Sequence, residues 1–553
     1  MKLYQKTLLI TFFLIQCVFD GRSQSPSWLW AAAIGGQYTD RFESITRDNS
    51  GNLIITGSFS GQVDFDPGPN DFTLAAGIAD VFIFKTDSNK NFIWAKSIGS
   101  SGHDAGTNVI CDDSSNIYVT GVYRGLADFD PGPGVFTMNA PSGGIFILKL
   151  DSTGAFQWAK SIYNFSTDYF IVKRIRKDEN GNLYLGGFYQ DSLNFKSFIL
   201  KLNNVGDSIW AKIFGSPSQD GSNAQLNDMD VNNAGEIVLT GHFSHNIDLD
   251  PGPNTLLIDA QVYYDAFICK LDSSGSFQWG FNYGTNEHIY GYAIAFDSTN
   301  NIILAGAFSN SFDADPGPAT NLLSTTNSFA NYLVKLNPTG DYIWSQAIAS
   351  CVAIGIASDA QNNLYVSGEF ADTTDFNADA GLSYILFPNG PRDVFIFKCD
   401  SNGVFNWATK AGGGGWEQTS RVALGLSNDI YITGHFIGPN ANFGPILIQN
   451  ASTSPSVSLD GFVARLHNLL TGTIELQSTS ELSVFPNPAT SVINVIIDQP
   501  VEIIICDLLG KELISKQITS KGKVQVEFDI SFLASGVYLI KVENWVSKFV
   551  KND

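Results

Sequence analysis

DVFIFKTDSNKNFIWAKSIG, Asp80 to Gly99, decides the reading of this chain. Two apolar runs, Val81 to Thr86 and Phe92 to Ile98, flank a polar turn, and both carry the aromatic and β-branched residues that suit a pleated surface. The turn reads Asp-Ser-x-Gly or a close relative. Asp caps it and Gly supplies positive φ, so the segment is a β-hairpin. It returns as GIFILKLDSTGAFQWAKSI (Gly144 to Ile162), DAFICKLDSSGSFQWGFNYG (Asp265 to Gly284) and DVFIFKCDSNGVFNWATKAG (Asp393 to Gly412). Its tryptophan recurs as Trp30, Trp94, Trp158, Trp210, Trp279, Trp344 and Trp407, about 64 residues apart with a shorter third step and a longer fourth. A fixed long period marks a solenoid, a propeller or an array.

A second unit precedes each hairpin. It reads SITRDNSGNLIITGSF (Ser44 to Phe59) and NVICDDSSNIYVTGVY (Asn108 to Tyr123), and five further copies end at Tyr189, Phe243, Phe308, Phe370 and Phe436. Each is strand, Asp/Asn/Gly turn, strand. Unit plus hairpin makes four short strands, which is one propeller blade. There are seven first hairpins and seven third strands, the last being DGFVARL, Asp460 to Leu466, and no tryptophan strand follows it. The surplus tryptophan strand is at the front: WLWAAAIGG, Trp28 to Gly36. The expected fold is all-β, a seven-bladed β-propeller over residues 25–466 closed by this N-terminal strand, which leaves no open sheet edge. In strand order and turns the repeats resemble the bacterial β-propeller repeats of the SBBP type, and more loosely the NHL type. That resemblance implies a fold and little function, because propellers host catalysis, binding and scaffolding alike.

The chain has 553 residues, 13% aromatic and 16% charged, with a net charge of −22. Such a balance argues against nucleic acid and anionic surfaces as electrostatic partners. Residues 1–23 read as a signal peptide: Lys2 and Lys6 precede an apolar core, Thr7 to Val18, too short to span a bilayer. No later stretch is long and apolar enough to be transmembrane. Beyond Cys17 stand Cys111, Cys269, Cys351, Cys399 and Cys506, mostly inside apolar strands, which reads as buried free thiols, with a Cys351–Cys399 bridge as the alternative.

The most unusual motif is DFDPGP, at Asp64 to Pro69 and Asp128 to Pro133, returning as DLDPGP at Asp248 to Pro253 and DADPGP at Asp313 to Pro318. A shortened version starts at Asp375. Carboxylates at i and i+2 before a Pro-Gly turn can point oxygens at a hard cation, so Asp64, Asp66, Asp128, Asp130, Asp248, Asp250, Asp313 and Asp315 are candidate Ca²⁺ ligands. The alternative is a capped turn. A basic residue recurs in the third strand (Lys85, Lys149, Lys201, Lys270, Lys335, Lys398, Arg465) and invites pairing with an Asp of the preceding turn. His242 and His435 share one repeat position, where other repeats place Ser58, Val122, Phe188, Ala307 and Glu369; that variety reads as indifference. No nucleophile elbow, phosphate loop or metal box is present, so no catalytic residue and no other cofactor is assigned.

Residues 467–481 lose the repeat and read as a linker. Residues 482–553 alternate short strands and turns, which suggests a small Ig-like β-sandwich. Four stretches stand in order here: Phe485-Pro486-Asn487-Pro488-Ala489, Asp507-Leu508-Leu509-Gly510-Lys511, Asp529-Ile530-Ser531-Phe532-Leu533 and Ser535-Gly536-Val537-Tyr538-Leu539-Ile540-Lys541. They resemble the type IX secretion system C-terminal sorting domain, type A, of Bacteroidota. The resemblance makes Pro486, Asn487, Pro488, Gly510, Lys511, Gly536, Tyr538 and Lys541 the sorting motif. It implies the secretion machinery and its surface sortase as partners, and a mature protein attached to the cell surface or released. The functional expectation is a secreted or surface binding or adhesion module for a glycan or protein, its ligand face at the unequal blades or the mouth of the central channel. Two alternatives stand beside it: an extracellular polysaccharide hydrolase or lyase, and a structural surface-layer protein.

Overall fold

The computed structural model describes residues 26–162, 169–218, 220–260, 262–284, 287–377, 383–426, 429–454, 458–467, 484–497, 501–506, 512–519, 524–542 and 545–552. The signal peptide, the linker beyond His467, Ala378 and Asp379 of the shortened motif, Gly510 and Lys511 lie outside these residues, as does the side chain of Lys541. Every element among the described residues is a β-strand, and no helix there is long and apolar enough to cross a membrane.

One repeat shows how the sequence builds the rest. Strands Arg41–Arg47, Leu53–Phe59, Asp80–Thr86 and Phe92–Ile98 form one antiparallel sheet in chain order. The two middle strands are buried along nearly their whole length, so they are covered on both faces and their apolar residues run almost without alternation. The first turn is set by Asp48, whose Oδ1 accepts the amides of Ser50 and Asn52 at 2.9 Å while Gly51 takes φ +85°. The hairpin turn repeats the device: Asp87 Oδ1 accepts the amides of Asn89 and Asn91 at 2.8 Å.

In several repeats the Lys, and in three also the Trp, clasps one sheet to the turn of the next. Lys85 pairs with Asp48 at 2.9 Å and donates to the Ser152 carbonyl in the hairpin turn of the following sheet at 2.9 Å. Lys335 likewise pairs with Asp297 at 2.9 Å and donates to Ser401 O at 3.1 Å, where Trp344 Nε1 also donates at 3.1 Å. Lys201, Lys270 and Arg465 pair with Asp178, Glu236 and Asp429, so the expected basic-to-acidic pairing forms in five repeats. In the other two, Lys149 and Lys398 lie over the rings of Tyr118 and Tyr365 instead. Burial opposes ionisation of Asp48, yet Lys85 and the Asn52 hydrogen bonds hold it below the usual carboxylate range.

The glycine shared by the repeats follows from a bulge. In all seven first strands the register slips by one residue, at Glu43, Thr107, Lys173, Asn227, Tyr292, Ile354 and Ser420. The bend drives a carbonyl toward the neighbouring strand. A Cβ at Gly57 would stand 1.8 Å from Arg41 O, and one at Gly306 1.8 Å from Tyr290 O. Only glycine fits.

Seven such four-stranded units succeed one another among the described residues, the third and fourth joined by a parallel bridge between Phe195 and Asn223. The seventh takes its outer strand from the start of the chain: Ser27–Ile34 pairs antiparallel with Leu459–His467. Hydrogen bonds between neighbouring units run on from the last to the first, where Ser420 Oγ donates to Phe42 O at 2.7 Å. The clasp recurs there too: Trp30 Nε1 and Arg465 Nη1 donate to Ser88 O at 3.1 and 2.9 Å. Between units lie apolar clusters such as Trp30, Phe42, Phe82, Tyr431 and Val463. The Cys351–Cys399 alternative does not form. Both are free and buried, and lie in different strands of one sheet (Cys351–Ser358 and Asp393–Cys399) with the strand Leu364–Phe370 between them.

The chain divides into two compact units, Met1–Leu470 and Thr471–Asp553. In the second, a three-stranded and a four-stranded antiparallel sheet enclose Ile493, Val495, Ile503, Ile505, Phe528, Ile540 and Phe549. Asn487 Oδ1 accepts the Val550 amide at 2.9 Å, and Tyr538 stacks on Phe549 at 5.6 Å while its hydroxyl donates to Ala534 O at 2.8 Å. Asn487, with the Ala489 backbone bonded to Val550 and Asn552 at 2.8 Å, fastens the Pro486-to-Ala489 segment to the last strand.

Candidate functional site

A bulge turns one side chain per sheet away from the regular alternation, and all seven of those side chains line a pair of cavities of about 620 and 450 Å³. The cavities share Lys173, Ile354, Gln418 and Arg421, so they are two lobes of one mouth. The second strands contribute Val122, Ala307, Glu369 and His435, each paired with the residue two places before its bulge. The apolar strand residues, the turn-setting acids and amides and the shared glycine recur from sheet to sheet. Here the seven positions hold an acid, a base, an amide, two hydroxyls, a phenol and an alkyl chain.

One lobe is aromatic. His288, just before the strand Ile289–Phe296, and Tyr290 and Tyr292 on it follow one another with near-parallel rings, centroids 5.9 and 5.7 Å apart. Tyr263 stands 4.7 Å from His288, and His242 5.1 Å from Tyr290. At the far side Arg392 pairs with Glu369 at 2.8 Å and lies over Trp416.

The other lobe is charged. Deeper in, Arg174 forms a bidentate pair with Asp228, and Arg176 meets Asp230 at 2.7 Å, so those four charges cancel. Lys173, Arg421 and Arg41 make no ion pair among the described residues, and Glu43 is the carboxylate that faces all three. Among the described residues Arg421 donates to the carbonyls of Ser420 and Lys173, at 3.1 and 3.4 Å, and its buried Nε has no partner there. Burial and the neighbouring Arg174 pull Arg421 down to about 9; burial and Arg421 lower Lys173. Burial raises Glu43 against the pull of its cations. Burial takes His242 and His435 down to about 4, helped by Lys173 and Arg41 respectively, so both rings are neutral near pH 7. His435 Nε2 meets Gln418 Oε1 at 3.0 Å, and His242 Nδ1 meets Asn227 Nδ2 at 3.1 Å.

Three of the DPGP motifs lie in short satellite hairpins such as Gln62–Asp64 with Thr73–Ala75, and the one at Asp128 lies at the extended end of its own sheet, all away from the residues that line the mouth. Asp64 Oδ1 accepts the amides of Asp66 and Phe72 at 3.0 and 2.8 Å, and Asp66 Oδ1 accepts Gly68 N at 2.7 Å. Asp128 and Asp130, Asp248 and Asp250, and Asp313 and Asp315 repeat this pattern. One oxygen of each carboxylate is therefore engaged in shaping the turn. Among the described residues no three His, Cys, Asp or Glu side chains stand together as metal ligands.

The mouth residues were not singled out by sequence. The repeat position shared by His242 and His435 varies from sheet to sheet, and such variation at a position that faces the mouth in four sheets is the signal the sequence holds. The bulged position carried the same signal.

These features define the class: an all-β repeat protein of propeller-like sheets, followed by a small sandwich. Residues 483–552 match the secretion system C-terminal sorting domain, and the protein is exported by type IX secretion to the cell surface or extracellular space. An uncharacterized WD repeat-containing protein of Acanthamoeba polyphaga mimivirus is 25% identical over 570 residues, covering 84% of this chain. This chain spans 40% of that relative's length. Among solved structures, the polysaccharide lyase Uly1 has a TM-score of 0.41 at 8% identity, covering 82% of this chain and 94% of its own. Sqt1 from Chaetomium thermophilum has a TM-score of 0.38 at 9% identity, covering 80% of this chain and 99% of its own.

Proposed function

We propose that the seven sheets are the blades of one closed β-propeller over residues 25–466, and that its mouth is a binding site through which the exported protein holds a glycan. Closure is supported by the Trp30 and Arg465 clasp onto Ser88, which repeats between last and first sheets what Lys335 and Trp344 do between neighbours. The observation that carries the binding reading is that the lining of the mouth breaks a repeat kept elsewhere. Amides, phenols and hydroxyls from Asn227, Gln418, Tyr290, Tyr292, Ser309 and Ser328 suit a hydroxyl-rich ligand. The test is a glycan array probed with the full mature chain and its Tyr292→Ala variant. Binding that falls in the variant supports the reading; glycan binding untouched by Tyr292→Ala overturns it.

A second reading, a polysaccharide-cleaving enzyme, is favoured by one feature. A neutral His435, Tyr290, Tyr292 and a Glu43 whose burial favours its protonated form share the mouth, which is a composition able to move protons. Release of reducing ends or unsaturated products from a bound polymer would establish it. In the second unit, Asn487 and Tyr538 are proposed to hold the sorting signal in the shape that the secretion machinery and its surface sortase recognise, with the sorting domain starting at 482. Calcium on the DPGP turns is a separate proposal, supported by the second oxygen of Asp64, Asp66 and their counterparts, which makes no hydrogen bond among the described residues.

A further inference from the structure

The protein carries a net charge of −22, so unpaired cations inside it call for a reason. Lys173 and Arg421 stand on the wall common to both lobes of the mouth, and neither has a carboxylate partner among the described residues. Their neighbours Arg174 and Arg176 are each neutralised by an aspartate in direct contact; Lys173, which lies over the Phe188 ring, and Arg421 feel Glu43, and Arg421 also Asp228, but neither forms an ion pair among the described residues. A buried guanidinium nitrogen with no acceptor is costly unless something fills the site. The wall beside the two cations bears the phenols and amides already described, and it opens to solvent outside the cell.

We infer that the mouth takes an acidic saccharide, its carboxylate or sulfate group held between Lys173 and Arg421 and its hydroxyls facing Tyr290, Tyr292 and Asn227. This rests on the reading of the mouth as a glycan site and names the class of glycan. Arg421 offers the planar donor set that oxyanions take up in paired hydrogen bonds, and Lys173 adds a point charge beside it.

The test is titration calorimetry of the full mature chain with oligomers of polygalacturonate (carboxylate), carrageenan (sulfate), laminarin (neutral) and poly-glutamate (an acidic peptide). Variants Arg421→Gln, Lys173→Met and Tyr292→Ala are compared with Lys90→Gln on a hairpin turn that lines neither lobe, and a melting scan confirms that each is folded. The expected result is binding to one or both acidic glycans that weakens with salt and falls about tenfold or more in either cation variant. The polymer that responds distinguishes carboxylate from sulfate. Should one cation variant not fold, the other carries the test. Acidic glycan bound equally well by both cation variants but lost in Tyr292→Ala overturns the anion inference and leaves the glycan site standing. Binding of laminarin alone does the same. Binding indifferent to all three mouth variants overturns both readings, and poly-glutamate bound as tightly as the glycans overturns the saccharide assignment.

Discussion

Replacing Lys335 by Met tests the clasp that the repeat encodes. Lys335 is buried, 2.9 Å from Asp297, whose side chain is fully enclosed. Removing one partner of a buried ion pair costs about 3–5 kcal/mol, because the other charge is left uncompensated. Asp297 keeps the amides of Thr299 and Asn301 at 2.9 Å, the Thr299 hydroxyl at 2.7 Å and Asn301 Nδ2 at 3.0 Å. The carbonyl of Ser401 keeps Trp344. The loss therefore falls near the low end, about 3 kcal/mol. Lys149 occupies the same repeat position without an acidic partner, lying 4.9 Å from the centroid of Tyr118. Lys149→Met gives up a cation–π contact worth about 0.5–2 kcal/mol and keeps the packing of the stem. Guanidinium unfolding of the full chain, followed by tryptophan fluorescence, separates the two. Adding Asp297→Asn to Lys335→Met removes the stranded charge and should restore part of the loss. A cost for Lys335→Met no larger than for Lys149→Met, or a double variant weaker than the single, refutes the reasoning.

Three further outcomes are expected. Carboxyls meet across sheet junctions: burial, then Asp460, raises Asp40 to about 7; burial raises Asp460 to about 6; burial, then Asp104, raises Asp80 to about 6; and burial, with Asp393 adding to it, raises Glu417 to about 8. A group whose folded pKa lies above its unfolded value gives stability that is complete below the unfolded pKa and lost as pH rises through the folded one. The melting midpoint should therefore fall from pH 5 to pH 8.5, and Asp40→Asn should flatten the slope; a rising midpoint contradicts the assignment. If calcium seats on the DPGP turns, the midpoint rises with calcium and drops with excess chelator, and Asp64→Asn with Asp66→Asn shrinks the difference; identical scans remove the proposal. Deleting residues 483–552 should hold the protein inside the cell, read by fractionation, whereas undiminished surface display would argue against the sorting role.

How much was legible from sequence follows from what each repeated residue does. Trp344 and Lys335 recur because each sheet needs the same grip on the next, so the tryptophan spacing and the surplus strand at Trp28 carried the order of the sheets and the pairing of Ser27–Ile34 with the final strand. Gly57 and its counterparts recur because a bulge crowds them, yet no residue type marks a bulge: Glu43, Tyr292 and Ile354 have nothing in common except their register. A backbone feature with no side-chain requirement is invisible to a search for motifs. The DPGP turns drew attention for the opposite reason, being repeated and acidic, while the hydrogen bonds of Asp64 and Asp66 show a turn that needs those residues for its own shape. Repetition in such a chain measures what each sheet requires to pack. Whatever the molecule does with one particular ligand has to sit where the repeats disagree at a position the backbone holds constant. Of the positions that met this condition in the sequence, the one shared by His242, His435 and Glu369 pointed to the mouth, and the variety that made it look idle is what a single asymmetric ligand demands of a sevenfold frame.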